Sequence, residues 1–291
     1  MKPYYECGAC FLRQARELLD LSTDDEDLKF RLMENTFDYL AKNFSKEYSP
    51  NELASVFNQN IKRKTGCSDP YVQQKKLGTD VAMSMISQIK EILHEDNSLE
   101  NHVKMAIVGN ILDFGAFDIN TDVQSLIKQH LNKSLAINDF DALKSALKKH
   151  DEALYLLDNT GEIIFDKLLA DKISQFDVDV CVAVKESPIV NDACFSDASD
   201  VGFVNIVSIG SDSAGIVDSM ISDEFREVFK NSSLIISKVM ANYEGITEMN
   251  LDNKDVFCLL CAKCNPIAKD LNVDITSHVL NLSSFVEVGD S

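Results

Sequence analysis

The chain has 291 residues, 45% of them hydrophobic and 26% charged, with no tryptophan and a formal net charge of −19 at pH 7. That length buries a sizeable core in one large domain or two ordinary ones, and no apolar run approaches the roughly 20 residues needed to span a bilayer. The charge repels nucleic acid and anionic lipid, and MKPYYECGAC lacks the apolar stretch of a secretory signal, so a cytoplasmic protein with neither kind of partner is expected.

From Tyr5 to about Leu147 apolar residues recur at intervals of three and four. CFLRQARELLDL, LKFRLMENTFDYLAKNF, PNELASVFNQNIKRKTG, LGTDVAMSMISQIKEIL and LENHVKMAIVGNILDFG all have the spacing of amphipathic helices. Ser49-Pro50 marks a helix start, and Thr65-Gly66 and Gly115 mark stops. Nothing in this stretch alternates like a strand, so residues 1–147 are expected to form a mainly helical domain. Within it Asn110 and Asp113 share a helix face amid apolar neighbours. The helix around 106–115 is expected to close over a crevice.

After Asp151 the pattern changes. EALYLLD, VDVCVAVK, VNIVSIG, SLIISK and VFCLLCAK are short apolar runs, separated by helical stretches such as GEIIFDKLLADKI and DEFREVFKN. Continuous apolar strands alternating with helices predict a mainly parallel sheet covered on both faces. Residues 148–291 therefore read as a Rossmann-like three-layer α/β/α domain. Each run ends in a chemically able group: Asp158 and Asn159, Lys185, Gly210-Ser211, Lys238, and Lys263. Open α/β sheets bind ligands outside the carboxyl ends of their strands, which places one site at these positions.

Asp158 and Asn159 offer hard oxygen donors, and KESPIVNDA adds Asn191 and Asp192 beyond the next strand. Two carboxylates and an amide suit Mg²⁺ or Mn²⁺, and no histidine stands near to favour zinc. Gly161 lets backbone approach an anion at the start of the following helix. Lysines directly after buried strands suit phosphate. Taken alone, DNTG is also a good turn sequence, with Glu162 at a helix N-terminus.

GNILDFG, DNTGEIIFDK, KESPIVNDA, SKVMANYEG and AKCNPIA, in that order, resemble the metal-dependent damage-control phosphatases. That family was formerly classed as domain of unknown function 89 and is also described as acidic residue methyltransferase-like. CGAC resembles a subgroup with an N-terminal CxxC. The resemblance implies a helical portion joined to a Rossmann-like domain. It also implies hydrolysis of phosphate monoesters of small metabolites, sugar phosphates or damaged phosphometabolites, with a divalent cation such as Mg, Mn, Co or Ni. Asp158, Asn159 and Asp192 would hold the metal, with Asp158, Glu162 and Lys263 catalytic. Asn110, Asp113, Gly161, Lys185, Asn191, Lys238, Asn242 and Lys263 would bind substrate. Either the Asp158 carboxylate or a water activated at the cation would attack phosphorus. Met240 stands where some relatives have Asp, and Cys261 where many have Lys, which leaves the substrate open. The partner is then a small phosphorylated metabolite; the oligomeric state is not legible.

Two rival readings follow from the same residues. An S-adenosylmethionine-dependent carboxyl methyltransferase would need a glycine-rich first loop, which DNTGE is not. A cysteine-based metal or redox protein would use Cys7 and Cys10 with members of the run Cys258, Cys261 and Cys264.

Overall fold

The computed structural model describes residues 1–111 and 123–283. Five helices open the chain: α1 (Tyr5–Ser22), α2 (Glu26–Asn43), α3 (Pro50–Thr65), α4 (Val72–Glu95) and α5 (Leu99–Ile111). The start and stop read at α3 are both present. The Ser49 hydroxyl accepts from the Glu52 N–H at 3.1 Å, Pro50 opens the helix, and Gly66 closes it at φ 72°. The expected stop at Gly115 lies outside the described residues, as does Asp113.

There follow α6 (Val123–Leu131), β1 (Leu135–Asn138), α7 (Phe140–Ala146), β2 (Glu152–Leu156), α8 (Ile163–Ser174), β3 (Asp179–Val184), α9 (Phe195–Val201), β4 (Ile206–Ser208), α10 (Asp223–Asn231), β5 (Leu234–Lys238), α11 (Val239–Ile246), β6 (Asp255–Cys261), α12 (Asn265–Asp270) and β7 (His278–Leu282). Among the described residues seven strands form one sheet in the order β1-β7-β6-β5-β2-β3-β4, and only the β6–β7 pairing is antiparallel. The expected three-layer α/β/α fold is therefore present. One expectation fails: β1, within the stretch read as free of strands, pairs with β7 at the sheet edge. Its four residues, LAIN, have alternating burial but are too few to stand out in a helical background.

Both sheet faces are buried, which is why the strands read as continuous apolar runs. Tyr155, Val182, Val184 and Ile236 face a core shared with α5, α7, α8 and α9. Leu154, Leu156, Ala183 and Ile235 face the opposite core, filled by Phe225, Phe229, Tyr243 and Ile267. The first three helices have their own core around Leu18, Leu53, Phe57 and Ile61.

Polar contacts dock these helices over the loops of the sheet. Asn51 donates to the Ala241 carbonyl at 2.7 Å, and the Ala214 N–H donates to Ser55 at 2.9 Å. Lys62 pairs with Asp212 at 2.7 Å and also reaches the Pro188 carbonyl. From β2 the chain winds outward through β3 and β4, then returns to β5 on the other side of β2. The crevice between β2 and β5 is thus the topological switch point, where ligands bind in such sheets.

Candidate functional site

The loop after β2 and the loop after β3 are locked backbone to backbone. The Thr160 N–H donates to the Asn191 carbonyl at 3.0 Å, and the Ala193 N–H donates to the Asp158 carbonyl at 2.6 Å. Asn159 and Asp192 form an isolated antiparallel bridge between them. DNTG is therefore one half of a two-loop lattice that faces the carboxylates of Asp158 and Asp192 together. Asp158 and Asp192 are 6% and 7% exposed. Burial, then the neighbouring Asp192 and Glu162 carboxylates, push Asp158 well above the usual carboxylate range. Burial likewise raises Asp192, although Lys185 stands 3.5 Å away.

Glu162, at the entry to α8, is held from three directions. Lys238 donates to one carboxylate oxygen, while the amides of Asn110 and Asn159 donate to the other at 3.0 and 3.2 Å. Because the Asn159 amide N–H₂ is engaged there, its carbonyl oxygen is the end left for a cation. One turn further along α8, Asp166 accepts from Lys238 at 2.6 Å and from the Tyr155 hydroxyl at 2.9 Å. Lys238 also donates to the Ala106 carbonyl at 2.9 Å. Burial pushes Asp166 up to about 7 despite this ammonium. Burial alone would lower the Lys238 ammonium, but Asp166 and Glu162 outweigh it and raise it.

A cavity of about 370 Å³ opens over these loops. Asn110, Asn159, Gly161, Glu162, Asn191 and Lys263 line it, and Asp158 and Asp192 lie immediately behind that lining. Lys263 donates to the Asn110 carbonyl at the rim. Lys238 and Lys185, read from sequence as substrate-binding, do not reach the cavity. Lys238 is fully buried with three acceptors, and Lys185 donates to the Gly215 carbonyl at 2.8 Å beside Asp192. Asn242 is also fully buried and donates to the Leu157 carbonyl at 3.1 Å. A strand-end lysine and a following asparagine turned inward look no different in sequence from those turned outward.

The donor chemistry fits a hard divalent cation. Two carboxylates and the Asn159 amide converge from the locked loops. Among the described residues the buried side-chain carbonyl oxygens (Oδ1) of Asn110 and Asn242 have no hydrogen-bond partner. Among the same residues no group of three or more His, Cys, Asp and Glu side chains is arranged to hold a metal. Glu162, the third carboxylate nearby, is turned to Lys238. Val190, on the cavity wall, and Val239, directly after Lys238, have φ of 46° and 62°. β-branched residues rarely adopt that conformation, and such strain concentrates at functional sites.

Sequence reasoning missed the far wall. Glu17 of α1, Tyr71 before α4 and Gln74 of α4 line the same cavity. They are distant in sequence from every strand-end motif, so only the docking of the helices reveals them. The Thr160 hydroxyl ties that wall to the DNTG loop through the Lys75 carbonyl at 3.4 Å. Asp166 had a usable signal, since it stands four residues after Glu162 on one helix face. The eight cysteines are free thiols. Cys7 and Cys10 lie close enough to Cys264 and Glu244 to influence Cys264, away from the cavity lining.

The sequence profile of the damage-control phosphatase ARMT1-like domain matches residues 4–279. An uncharacterised protein of Methanocaldococcus jannaschii is 34% identical over 284 residues, covering 94% of this chain and 93% of its own. A damage-control phosphatase of Pyrococcus horikoshii is 32% identical over 277 residues, covering 94% and 95%. One from Archaeoglobus fulgidus is 31% identical over 281 residues, covering 94% and 96%. The crystal structure of a domain of unknown function 89 protein from Pyrococcus horikoshii superposes with a TM-score of 0.89 at 30% identity, covering 98% of this chain and all of that one.

Proposed function

The chain belongs to the damage-control phosphatase ARMT1-like family, and from that premise we propose that it is a metal-dependent phosphatase acting on phosphate monoesters of small metabolites. The observation that carries the reading is a charge imbalance. Among the described residues, the carboxylates of Asp158, Glu162, Asp166 and Asp192 and the ammonium groups of Lys185 and Lys238 are buried around one crevice. Were all ionised, four against two would leave an excess of two negative charges in a region that disfavours charge, and Asp158, Asp166 and Asp192 are all raised in keeping with that excess. Asp158, Asp192 and the Asn159 side-chain carbonyl would hold a divalent cation, which would relieve that excess and would supply Lewis-acid neutralisation of charge on the phosphoryl oxygens.

The chain's own residues supply the rest. Lys263 at the rim is placed to hold a phosphate oxygen, and Gly161 brings the N-terminal end of α8, which favours anions, to the cavity. Glu162, fixed by Lys238, keeps the Asn159 and Asn110 amides oriented. Lys185 steadies Asp192. The attacking group is the Asp158 carboxylate or a water beside it, and Asp158→Asn removes turnover in either case.

The test is hydrolysis of p-nitrophenyl phosphate by metal-stripped protein, with Mg²⁺, Mn²⁺, Co²⁺ or Ni²⁺ returned singly, beside Asp158→Asn. Turnover restored by metal and absent in the variant is the expected result. A folded protein without turnover under all four conditions overturns the proposal.

A further inference from the structure

The loop between β3 and α9, which carries Asn191 and Asp192, does not hold its shape alone. Val190, directly before Asn191, has φ 46°, a conformation that a β-branched residue keeps only where its surroundings impose it. The helical portion supplies those surroundings. Val190 packs against the core of α1, α2 and α3, as does Ala214 from the loop after β4. Beside that packing, Lys62 near the end of α3 joins the two loops. Its ammonium donates to the Pro188 carbonyl in one and pairs with Asp212 at 2.7 Å in the other. The second Asp212 oxygen accepts from Gln59, also on α3, at 2.7 Å. Lys62 is 9% exposed, so its charge depends on these acceptors. From them two routes lead to Asp192. One follows the chain from Pro188 through Val190. The other runs from Asp212 to Gly215, whose carbonyl takes the Lys185 ammonium at 2.8 Å, and that ammonium stands 3.5 Å from Asp192.

We infer that Lys62 is a positioning residue: through it α3 braces the Asp192 loop, so the docking of the helical portion sets how tightly the site holds a divalent cation. The inference rests on the metal-dependent reading above. Lys62 does not line the cavity and acts only through the loops it joins. Removing a group that orients metal ligands lowers metal affinity by about 10- to 100-fold. Without the Lys62 ammonium the Pro188 carbonyl loses its partner, and Val190 can relax toward negative φ, carrying Asn191 and Asp192 with it. The groups at the site itself stay the same. The loss therefore falls on cation affinity, and turnover at saturating cation is spared.

Calorimetric titration of Mn²⁺ into metal-stripped protein tests this, with p-nitrophenyl phosphate turnover as the second readout. Lys62→Met should raise the Kd for Mn²⁺ about tenfold, while kcat at saturating Mn²⁺ stays within about threefold of wild type. Lys62→Arg, which keeps the charge and the donors, should recover most of the affinity. Asp212→Asn loosens the same brace with little change of shape and should shift Kd in the same direction, which covers a Lys62→Met that does not fold. Ser49→Ala removes the cap at the other end of α3 and should lower thermal stability with Kd unchanged. Folded Lys62→Met that binds Mn²⁺ as the wild type does overturns the brace. An equal loss of affinity in Ser49→Ala overturns it too, because loosening α3 anywhere would then suffice. If the wild type binds none of Mn²⁺, Mg²⁺, Co²⁺ and Ni²⁺, the metal-dependent reading falls and takes this inference with it.

Discussion

Replacing Lys238 with Met tests whether this lysine is an internal strut or a phosphate ligand. Its ammonium is fully buried between Glu162 and Asp166, which are 1% and 0% exposed. Removing one partner of a buried ion pair costs about 3–5 kcal/mol, and here one ammonium serves two carboxylates, so the upper part of that range applies at alkaline pH. The cost is capped because Asp166 can take up a proton. Asp166 already titrates near 7 with the lysine in place, and without it this carboxylate rises further. A carboxylate raised in the folded state contributes stability that is fully present below its unfolded pKa and lost as pH rises through the folded one. Lys238→Met should therefore be destabilised by about 4 kcal/mol at pH 8.5 and by half that or less at pH 5. For a chain of this length 4 kcal/mol corresponds to roughly 6 °C in melting temperature. Urea unfolding at the two pH values measures it. A variant with an unchanged midpoint and a raised KM for phosphate esters would refute the strut and make Lys238 a substrate ligand after all.

Three further outcomes follow from the same geometry. Lys263→Met removes an exposed rim ammonium, so kcat/KM should fall about 100-fold while stability changes by under about 1 kcal/mol, as read by steady-state kinetics and urea melts. Gly215→Ala should cost about 2–3 kcal/mol. Gly215 sits at φ 63°, and an added Cβ would stand 2.2 Å from the Ala241 carbonyl oxygen; a melting temperature within 1 °C of wild type would contradict this. Asp166→Asn removes an acid whose folded pKa of about 7 exceeds its unfolded value. The variant's stability relative to wild type should then rise as pH climbs from about 4 to 7, and a flat difference across that window would show that Asp166 is not raised.

The parallel strands, the alternation of strand and helix, and the two loops that face each other were legible because each is a local pattern. β2, β3, β5 and β6 are buried on both faces along most of their length and so are mostly apolar, and DNTG and NDA lie in the loops that follow two of them. β1 and β7 were hidden by shortness and by the polar residues Asn138 and Asn281. Side-chain direction was illegible. Asp158 and Asp192 could be singled out because their chemistry is strong wherever they point, whereas Glu17, Tyr71 and Gln74 come beside the cavity only when α1 and α4 are docked over the sheet.

The three strand-end lysines show where sequence reasoning stops. Lys185, Lys238 and Lys263 each follow a buried strand and each looked like a phosphate clamp. Burial separates them. At 0% exposure Lys238 has three protein acceptors and no path to solvent, so its charge serves to let Glu162 and Asp166 be buried at all. Lys185, at 3%, faces the Gly215 carbonyl and Asp192 and tempers the repulsion behind the cavity. Only Lys263 keeps its stem exposed at the rim, where an incoming phosphate can displace its hold on the Asn110 carbonyl. An ammonium already surrounded by oxygens would have to break those bonds to accept a phosphate, at a cost of several kcal/mol. The same residue type at the same position after a strand therefore does three jobs, and the number of protein acceptors it already holds decides which.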